Sequence, residues 1–313
     1  MSTLGIDIGA SSVKVALLRD GVVAAVGQSD RYANPDAAQV GDAIRAGVAA
    51  LGQATARVTA AGVCVPGALD PAGLSLTASV NMPGLVGQRL DAVLERALAF
   101  LPQRFTITTD AHAAAYDAWA LHKPPGRMVA LSVGTGVGAA VLDEGALLRV
   151  TGPSSGHIGQ LDVSVPEPGR PIPTGPDGGV GSLEAYIGSA ALHSRYGPEM
   201  STRLANLSPE DAPLQALVRA LRIIHAIYRP NSIWFLGGHG LRMAPSARVI
   251  FEATSRGLTR LARPGWTLNF GTSLHHAASG AARLAEAAAS PSKEPPSERP
   301  PKLPELSVLP GNG

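Results

Sequence analysis

Residues 4–18 read LGIDIGASSVKVALL. The apolar run Leu4–Ile8 is typical of a short buried strand, and strand character resumes over Val13–Leu18. Turn sequences separate these two runs at Gly9–Ser12 and follow them at Asp20-Gly21. The stretch therefore predicts a β-hairpin at the start of the chain, with Val22–Val26 as a third strand.

The same pattern returns in the middle of the chain. Met128–Val133 predicts a strand, Gly134–Gly138 a turn and Ala139–Leu142 a second strand, which Asp143–Gly145 ends with another turn. Two similar hairpins, each turned by glycine, indicate two halves built on one plan.

The boundary between the halves is predicted at Lys123–Gly126, where two prolines and a glycine interrupt the chain. A length of 313 residues suits two domains better than one core. We predict an N-terminal α/β domain over 1–122 and a C-terminal α/β domain over 123–272. A helix at about 273–288 is predicted to pack back on the first domain. Residues 289–313, rich in Pro, Ser, Lys and Glu, are predicted to form a disordered tail.

Further helices are predicted at 37–51, 90–101, 111–121, 183–195, 213–228 and 246–262, and further strands at 58–65, 105–109, 232–236 and 267–270.

The composition excludes several classes of protein. A formal net charge of +2, without a cluster of basic residues, argues against nucleic acid as a partner. No apolar run approaches the roughly 20 residues that cross a bilayer, and the N-terminus does not read as a signal peptide. The single cysteine, Cys64, excludes an intramolecular disulfide. We therefore expect a cytoplasmic protein without a membrane partner, and we leave open whether it forms a homodimer.

Glycine-rich turns follow three of the predicted strands, at Gly9, at Gly134–Gly138 and at Gly237–Gly240. Glycine lets backbone N–H groups approach an anion closely and tolerates positive φ. Two hairpin turns that face each other would suit a polyphosphate held from both sides. The chain has no G-x-x-x-x-G-K-[ST] sequence, which excludes a Walker phosphate loop.

Two carboxylates lie next to predicted turns. Asp7 lies within an apolar strand, where an isolated charge is costly. It either faces Mg²⁺ and phosphates or bonds the turn amides, and both interpretations stay open. Asp110 lies between a predicted strand and a predicted helix. It suits a helix N-cap and also a general base that accepts a hydroxyl proton, and the two roles are compatible.

A third set of polar residues belongs to irregular segments. Asn81 lies in a turn-rich stretch, and His157, Gln160 and Glu184 border a long loop over 150–182 that is rich in Gly, Pro and Ser. Long loops within a domain are often functional. Each residue alone is better explained as a loop stabiliser. Together they form a polar set suited to a polyol.

In their order along the chain, these segments resemble the ROK family, which includes glucokinases, N-acetylhexosamine kinases and sugar-responsive repressors. The resemblance spans about residues 3 to 286. The segments that carry it are GIDIGASSVK at 5–14, GVCVPG at 62–67 followed by NMPG at 81–84, TDAHAAA at 109–115, GTGVG at 134–138 and LGG at 236–238.

The resemblance implies a two-domain actin-like ATPase fold, also called ribonuclease H-like, with a nucleotide cleft between the domains. It implies transfer of a phosphoryl group from ATP to a sugar hydroxyl, with Asp110 as the catalytic base and with Asp7 holding Mg²⁺ through water. The implied nucleotide contacts are Asp7, Gly9, Ser11, Ser12, Lys14, Gly134, Thr135, Gly136, Gly138, Gly237 and Gly238, and the implied sugar contacts are Asn81, Asp110, His157, Gln160 and Glu184.

The chain departs from the family at two places. Where kinases of the family carry Gly-Glu-x-Gly-His, this chain has Gly156-His157-Ile158-Gly159-Gln160. The family's zinc-binding cysteines are absent from 178–184, so we predict no structural zinc. Because His157 and Gln160 change the sugar-side chemistry, a non-catalytic sugar- or nucleotide-binding protein stays open as an alternative. The sequence also does not decide between ATP and polyphosphate as the phosphoryl donor, so a kinase that uses polyphosphate stays open as well.

Overall fold

The computed structural model describes residues 2–52, 58–98, 104–150, 154–262 and 265–289. The strands are β1 (Ser2–Ile8), β2 (Val13–Arg19), β3 (Val22–Gln28), β4 (Val58–Val65), β5 (Ala68–Leu69), β6 (Leu76–Ala78), β7 (Arg104–Thr109), β8 (Arg127–Val133), β9 (Val137–Asp143), β10 (Ala146–Leu147), β11 (Ser232–Leu236) and β12 (Thr267–Phe270). The helices are α1 (Ala37–Ala49), α2 (Leu90–Ala97), α3 (Asp110–His122), α4 (Leu183–Ile187), α5 (Ser189–Tyr196), α6 (Met200–Ala205), α7 (Ala212–Tyr228), α8 (Gly237–Arg242), α9 (Ala247–Gly257) and α10 (His276–Ala289).

The first five-stranded sheet has the strand order β3-β2-β1-β4-β7. Strands β1, β2 and β3 pair antiparallel, which confirms the predicted hairpin and its third strand. Strands β4 and β7 continue the sheet in parallel with β1, so the carboxyl ends of β1, β4 and β7 lie at one edge. That edge of an α/β sheet is where ligands bind.

The second five-stranded sheet has the order β10-β9-β8-β11-β12 and repeats this plan. Strands β8 and β9 form the second hairpin, and β11 and β12 extend it in parallel. Two mixed sheets with helices confirm the predicted α/β class and the two similar halves. The domain limits 1–122 and 123–272 stay a prediction.

Each sheet contributes to a core of its own. The first core joins β1, β2 and β4 to α1 and α2, through residues such as Ile6, Ile44 and Leu94. The second joins β8, β9 and β11 to α4 and α7, through residues such as Tyr186 and Leu217. No helix among the described residues is long and apolar enough to span a membrane.

Helix α10 packs against β1 and β4 of the first sheet and against α3. The contact is backbone to backbone. A Cβ atom at Gly5 would lie 1.8 Å from the Ala278 carbonyl oxygen, and one at Gly62 would lie 1.8 Å from that of Ala281. A Cβ at Gly280 would lie 1.7 Å from the Ala113 carbonyl oxygen in α3. Glycine is therefore required at all three positions if the helix is to lie this close.

Several predicted elements differ from the structure at their ends. The helix predicted at 183–195 is two helices, because Gly188 takes an extended conformation (φ −68°, ψ 158°) between α4 and α5. The helix predicted at 246–262 ends at Gly257. The last helix begins at His276 and includes Ala289, which had been assigned to the tail. Residues 290–313 of that tail, and residues 99–101 of the helix predicted at 90–101, lie outside the described residues.

The α10 contact predicts that Gly5→Ala destabilises the protein by at least about 2 kcal/mol, because the added methyl group forces helix and strand apart. Gly41→Ala is the matched control: it lies in α1, and its nearest contact would be an ordinary 3.9 Å to Arg45. Urea unfolding should show a lower midpoint for Gly5→Ala and an unchanged or higher one for Gly41→Ala. Equal midpoints for the two variants would contradict the close packing.

Candidate active site

A cleft of about 980 Å³ is lined by loops and strand ends of both sheets. Every residue predicted as a site residue lines it: Asp7, Gly9, Ser11, Ser12, Lys14, Asn81, Asp110, Gly134, Thr135, Gly136, Gly138, His157, Gln160, Glu184, Gly237 and Gly238. The structure thus brings together residues that are up to 231 positions apart in the chain, from Asp7 to Gly238. Their roles in binding and catalysis stay predictions.

Asp110 is the first residue of α3, directly after β7 ends at Thr109. The N-cap is Thr109, whose hydroxyl accepts the His112 N–H, so the interpretation of Asp110 as the cap is wrong. One Asp110 oxygen, Oδ1, accepts the N–H of Ala111 at 2.8 Å. With Thr109 at the cap, the Asp110 carboxylate is left to line the cleft.

The surroundings of Asp110 favour its protonated form. Burial raises its pKa to about 6, and the negative charge of Asp7 adds to the effect, while Lys14 and the Ala111 N–H oppose it. The side chain keeps a partly exposed surface on the cleft although protein atoms enclose it on the other sides. A carboxylate with a pKa near neutrality can both accept and release a proton.

Asp7 and Lys14 face each other across the β1–β2 hairpin, where they are paired in register. The Lys14 ammonium lies 3.4 Å from Asp7 Oδ2, and only 6% of Asp7 is exposed. The buried Cys64 thiol lies 3.8 Å from Asp7 Oδ1. The Gly9 N–H donates to Ser12 O in the turn and does not bond Asp7. The carboxylate is therefore held mainly by a cation at the edge of the cleft.

The turn after β1 is held by two residues that the sequence analysis missed. The Tyr32 hydroxyl donates to the Gly9 carbonyl at 2.6 Å, and Gln28 Nε2 donates to Ser12 Oγ at 3.1 Å. Arg31, also missed, lines the cleft beside this turn. Its guanidinium makes no hydrogen bond or ion pair within the described part of the chain. The turn is thus fixed, and a second cation besides Lys14 borders it.

The turn after β8 is anchored by Glu184. Its Oε2 accepts the Val137 N–H at 2.9 Å, and a Cβ at Gly136 would lie 2.8 Å from the same oxygen. Burial raises the pKa of Glu184. A Cβ at Gly138 would lie 3.1 Å from the Cβ of Ala111, so glycine also lets this hairpin approach α3. Glu184, predicted as a sugar contact, therefore also shapes the second glycine turn.

The third glycine cluster opens a helix and is not only a turn. Gly237 and Gly238 begin α8 directly after β11. Gly237 has φ of +77°, and a Cβ there would lie 2.6 Å from the Val133 carbonyl oxygen, so only glycine fits. Arg242, another lining residue that the sequence analysis missed, donates to the Gly238 carbonyl at 2.9 Å. This corner is thus packed tightly against the end of β8.

The other predicted sugar-side residues, Asn81, His157 and Gln160, also line the cleft. His157 is exposed and precedes a 3₁₀ turn over Ile158–Gln160. The Gln160 side chain lies next to Gly179, where a Cβ would be 2.6 Å from Oε1. In the described residues, the side chains of Asn81, His157 and Gln160 form no hydrogen bonds with other protein groups, so their polar atoms are available to a ligand. Among those residues, no group of three or more His, Cys, Asp or Glu could hold a metal ion.

A buried polar network beside the cleft was not found from the sequence. Asp117 in α3 accepts hydrogen bonds from His276 Nδ1 at 2.6 Å and from Arg283 Nε at 2.7 Å, both in α10. His276 Nε2 accepts the N–H groups of Thr272 and Ser273, which leaves Nδ1 as the protonated nitrogen. The network fixes α3, which begins at Asp110, to α10 and to the cleft loop before it.

Comparison with known proteins gives consistent matches. A model of the ROK family matches residues 3–226. The chain is 33% identical over 241 residues to the N-acetylmannosamine kinase of Shigella boydii, covering 73% of this chain and 77% of that protein. It is 26% identical over 173 residues to the N-acetylmannosamine kinase of Vibrio cholerae, covering 54% of this chain and 57% of that protein. The latter match therefore spans little more than half the length of the relative.

The structure also matches a solved one, the ROK family glucokinase from Streptomyces griseus in complex with glucose and AMPPNP. The TM-score is 0.68 at 20% identity, and the match covers 92% of this chain and 100% of that one. At this identity the likeness shows the fold. The predicted actin-like ATPase fold is thereby confirmed.

The surroundings of Asp110 predict that its carboxylate titrates near pH 6 and is ionised above that pH. Carboxylate ¹³C NMR, with the signal assigned by its loss in Asp110→Asn, measures this midpoint. Asp7→Asn should lower it, because a like charge is removed, whereas Asp42→Asn on the exposed face of α1 should not. A wild-type midpoint near the ordinary value of 3.8 would contradict the enclosed position of Asp110.

Proposed function

The chain belongs to the ROK family, and on that premise we propose that it is a sugar kinase. It transfers the γ-phosphoryl group of ATP to a hydroxyl group of a hexose or modified hexose. The observation that carries the proposal is the Asp110 carboxylate: it lines a cleft that is also lined by two glycine turns and by three cationic side chains, Lys14, Arg31 and Arg242, and its pKa is raised to about 6.

The phosphate side of the cleft is assigned to the turns after β1 and β8. The Gly9 and Gly134 N–H groups close these turns, donating to Ser12 O and Gly136 O, so other donors have to meet the phosphates. The hydroxyls of Ser11 and Thr135 line the cleft and make no hydrogen bond within the described residues. Lys14 supplies positive charge, which a triphosphate requires. The Gly237–Gly238 corner is assigned to the adenosine.

Asp7 fits a role in holding Mg²⁺ through water, because its nearly buried carboxylate lies one residue before the end of β1 and has Lys14 as its only cationic partner among the described residues. A magnesium ion there would neutralise charge on the phosphates during transfer.

The role of general base for the acceptor hydroxyl is assigned to Asp110. As the sugar oxygen forms its bond to the γ-phosphorus, Asp110 accepts the hydroxyl proton, and the bond from the γ-phosphorus to the bridging oxygen breaks to release ADP. The backbone N–H of Ala111 and the packing of α3 hold the carboxylate in one orientation. Asn81, His157 and Gln160 are assigned to the sugar, since they line the same cleft and their polar side-chain atoms have no partner among the residues that the structure describes.

N-acetylmannosamine is the first acceptor to test, because both N-acetylmannosamine kinases named above are relatives of this chain. His157 and Gln160 stand where family kinases carry Glu and His, so the panel should also include N-acetylglucosamine, glucose, mannose and sugar acids. Polyphosphate should be tested beside ATP as the donor.

Asp110→Asn should lower kcat by about 10²–10⁴-fold, because the amide cannot accept the hydroxyl proton. An ADP-release assay with the best acceptor measures the loss, and Asp42→Asn serves as the control on an exposed surface. The sugar should still bind to Asp110→Asn with similar affinity by calorimetry.

The same assay separates the alternatives. Turnover by Asp110→Asn at the wild-type rate would contradict the assigned base. Tight sugar binding without turnover by the wild type, with either donor, would instead favour a binding protein that keeps the kinase fold.

Glu184 variants test whether this residue positions the second glycine turn. Glu184→Gln keeps an oxygen that can accept the Val137 N–H, whereas Glu184→Ala leaves that donor unpaired. We expect Glu184→Ala to raise KM for ATP about tenfold and Glu184→Gln to raise it much less. If both variants change only KM for the sugar, Glu184 acts as a sugar contact and not through the turn.

A further inference from the structure

A second cavity, of about 740 Å³, shares no lining residue with the catalytic cleft. We call it the α7 groove. One wall is the face of α7 and the residue after it, another is the turn that follows α9, and a third is the segment 162–164. The lining residues are Asp162, Val163, Ser164, Arg219, Arg222, Ile223, His225, Ala226, Arg229, Gly257, Leu258, Thr259, Leu261 and Ala262.

Three arginines line the α7 groove from one element. Arg219 and Arg222 are three residues apart, so they share a face of α7, and Arg229 follows as the C-cap of that helix. Arg219 donates to the Ser164 carbonyl and ties the two walls together. Arg222 and Arg229 are exposed, and neither guanidinium has a hydrogen bond or ion pair with any described residue. Two cations of the groove are therefore without a counter-charge from the described part of the chain.

The acidic side chain in the groove does not neutralise these cations. Asp162 accepts the N–H of Ser164 at 2.9 Å and its hydroxyl at 2.6 Å. The rest of the lining carries no negative charge. The Arg222 side chain lies against the backbone of α9, since a Cβ at Gly257 would be 2.7 Å from its Cδ. Its guanidinium is thus partly oriented before any ligand binds.

Much of the remaining lining is apolar, although Ser164, Thr259 and His225 also contribute. Val163, His225 and Leu258 are buried in the wall, while Leu261 is 81% exposed at the rim. His225 packs edge-on against Trp266, with ring centroids 4.7 Å apart. A volume of this size accommodates a small molecule, and such sites combine apolar walls with a few polar groups.

We propose that the α7 groove binds a small organic phosphate, with the phosphate on Arg222 and Arg229 and the rest of the molecule on the apolar wall. A planar guanidinium group can donate two parallel hydrogen bonds to two oxygens of one phosphate, which favours a phosphate over a neutral ligand. The ligand is either a sugar phosphate or a nucleotide, since both carry a phosphate ester on an organic group. The inference is independent of the proposed kinase activity.

The groove is joined to the catalytic cleft by a short segment. Gln160 lines the cleft, and Asp162, two residues later, lines the groove. Asp162 also forms a β-bridge with Ser182, next to the helix that carries Glu184. A molecule bound in the groove would therefore lie beside the segment that leads to two cleft residues, Gln160 and Glu184.

Calorimetry tests the site with three probes: inorganic phosphate, glucose 6-phosphate and AMP. The wild type should bind at least one of them with a Kd of about 1 mM or tighter. The double variant Arg222→Ala/Arg229→Ala should weaken this binding at least about tenfold, because two charge-assisted contacts are lost. Arg248→Ala is the matched control, since Arg248 is an exposed arginine in α9 that pairs with Glu252 outside the groove.

The results distinguish a sugar phosphate from a nucleotide as the ligand, and they also show whether the proposal fails. A preference for glucose 6-phosphate indicates a sugar phosphate, and a preference for AMP indicates a nucleotide. Equal binding of all three probes shows that only the phosphate group is bound and overturns the assignment of an organic phosphate to the apolar wall. Binding that is equal in wild type and double variant belongs to the catalytic cleft and overturns the proposal, as does the absence of binding to every probe. Arg222→Gln/Arg229→Gln repeats the test if the alanine variant melts at a lower temperature.

Discussion

The structure depends on the backbone contact between α10 and the first sheet. Helix α10 comes from the far end of the described chain, yet Gly5 and Gly62 let it lie against β1 and β4 without an intervening side chain. Gly280 makes the corresponding contact with α3. Because α3 begins at Asp110, the close packing of these three elements sets where that carboxylate lies. A displacement of α10 would therefore reach the cleft although α10 contributes few residues to it.

Polar contacts also hold α3 and α10 together, in addition to the glycine contacts. The Asp117 network joins α3 to α10 and to the loop before α10. Asp117 and His276 are buried, so water does not compete for their hydrogen bonds. At the cleft, burial and the charge of Asp7 raise the pKa of Asp110, and Lys14 limits the effect. The same packing thus both orients the carboxylate and adjusts its affinity for a proton. This combination is what the assignment of a general base requires.

Much of this could be predicted from the sequence, because the informative signals are local. The two hairpins, the glycine turns and Asp110 at a strand–helix junction each depend on residues close together in the chain, and the structure confirms the hairpins and the position of Asp110 after β7. What was missed depends on contacts between distant residues. The bond from Val137 to Glu184, the Asp117 network and the position of Arg31 beside the first turn leave no pattern in the local sequence. The break at Gly188 was missed because the apolar pattern continues across it.

The most direct test of the account is a crystal structure of the protein with its best sugar acceptor and a non-hydrolysable ATP analogue. The account predicts that one Asp110 oxygen lies about 2.6–3.2 Å from a sugar hydroxyl, and that this hydroxyl faces the γ-phosphate between the two glycine turns. A sugar bound with all its hydroxyls beyond the reach of Asp110, or a nucleotide bound away from those turns, would contradict it.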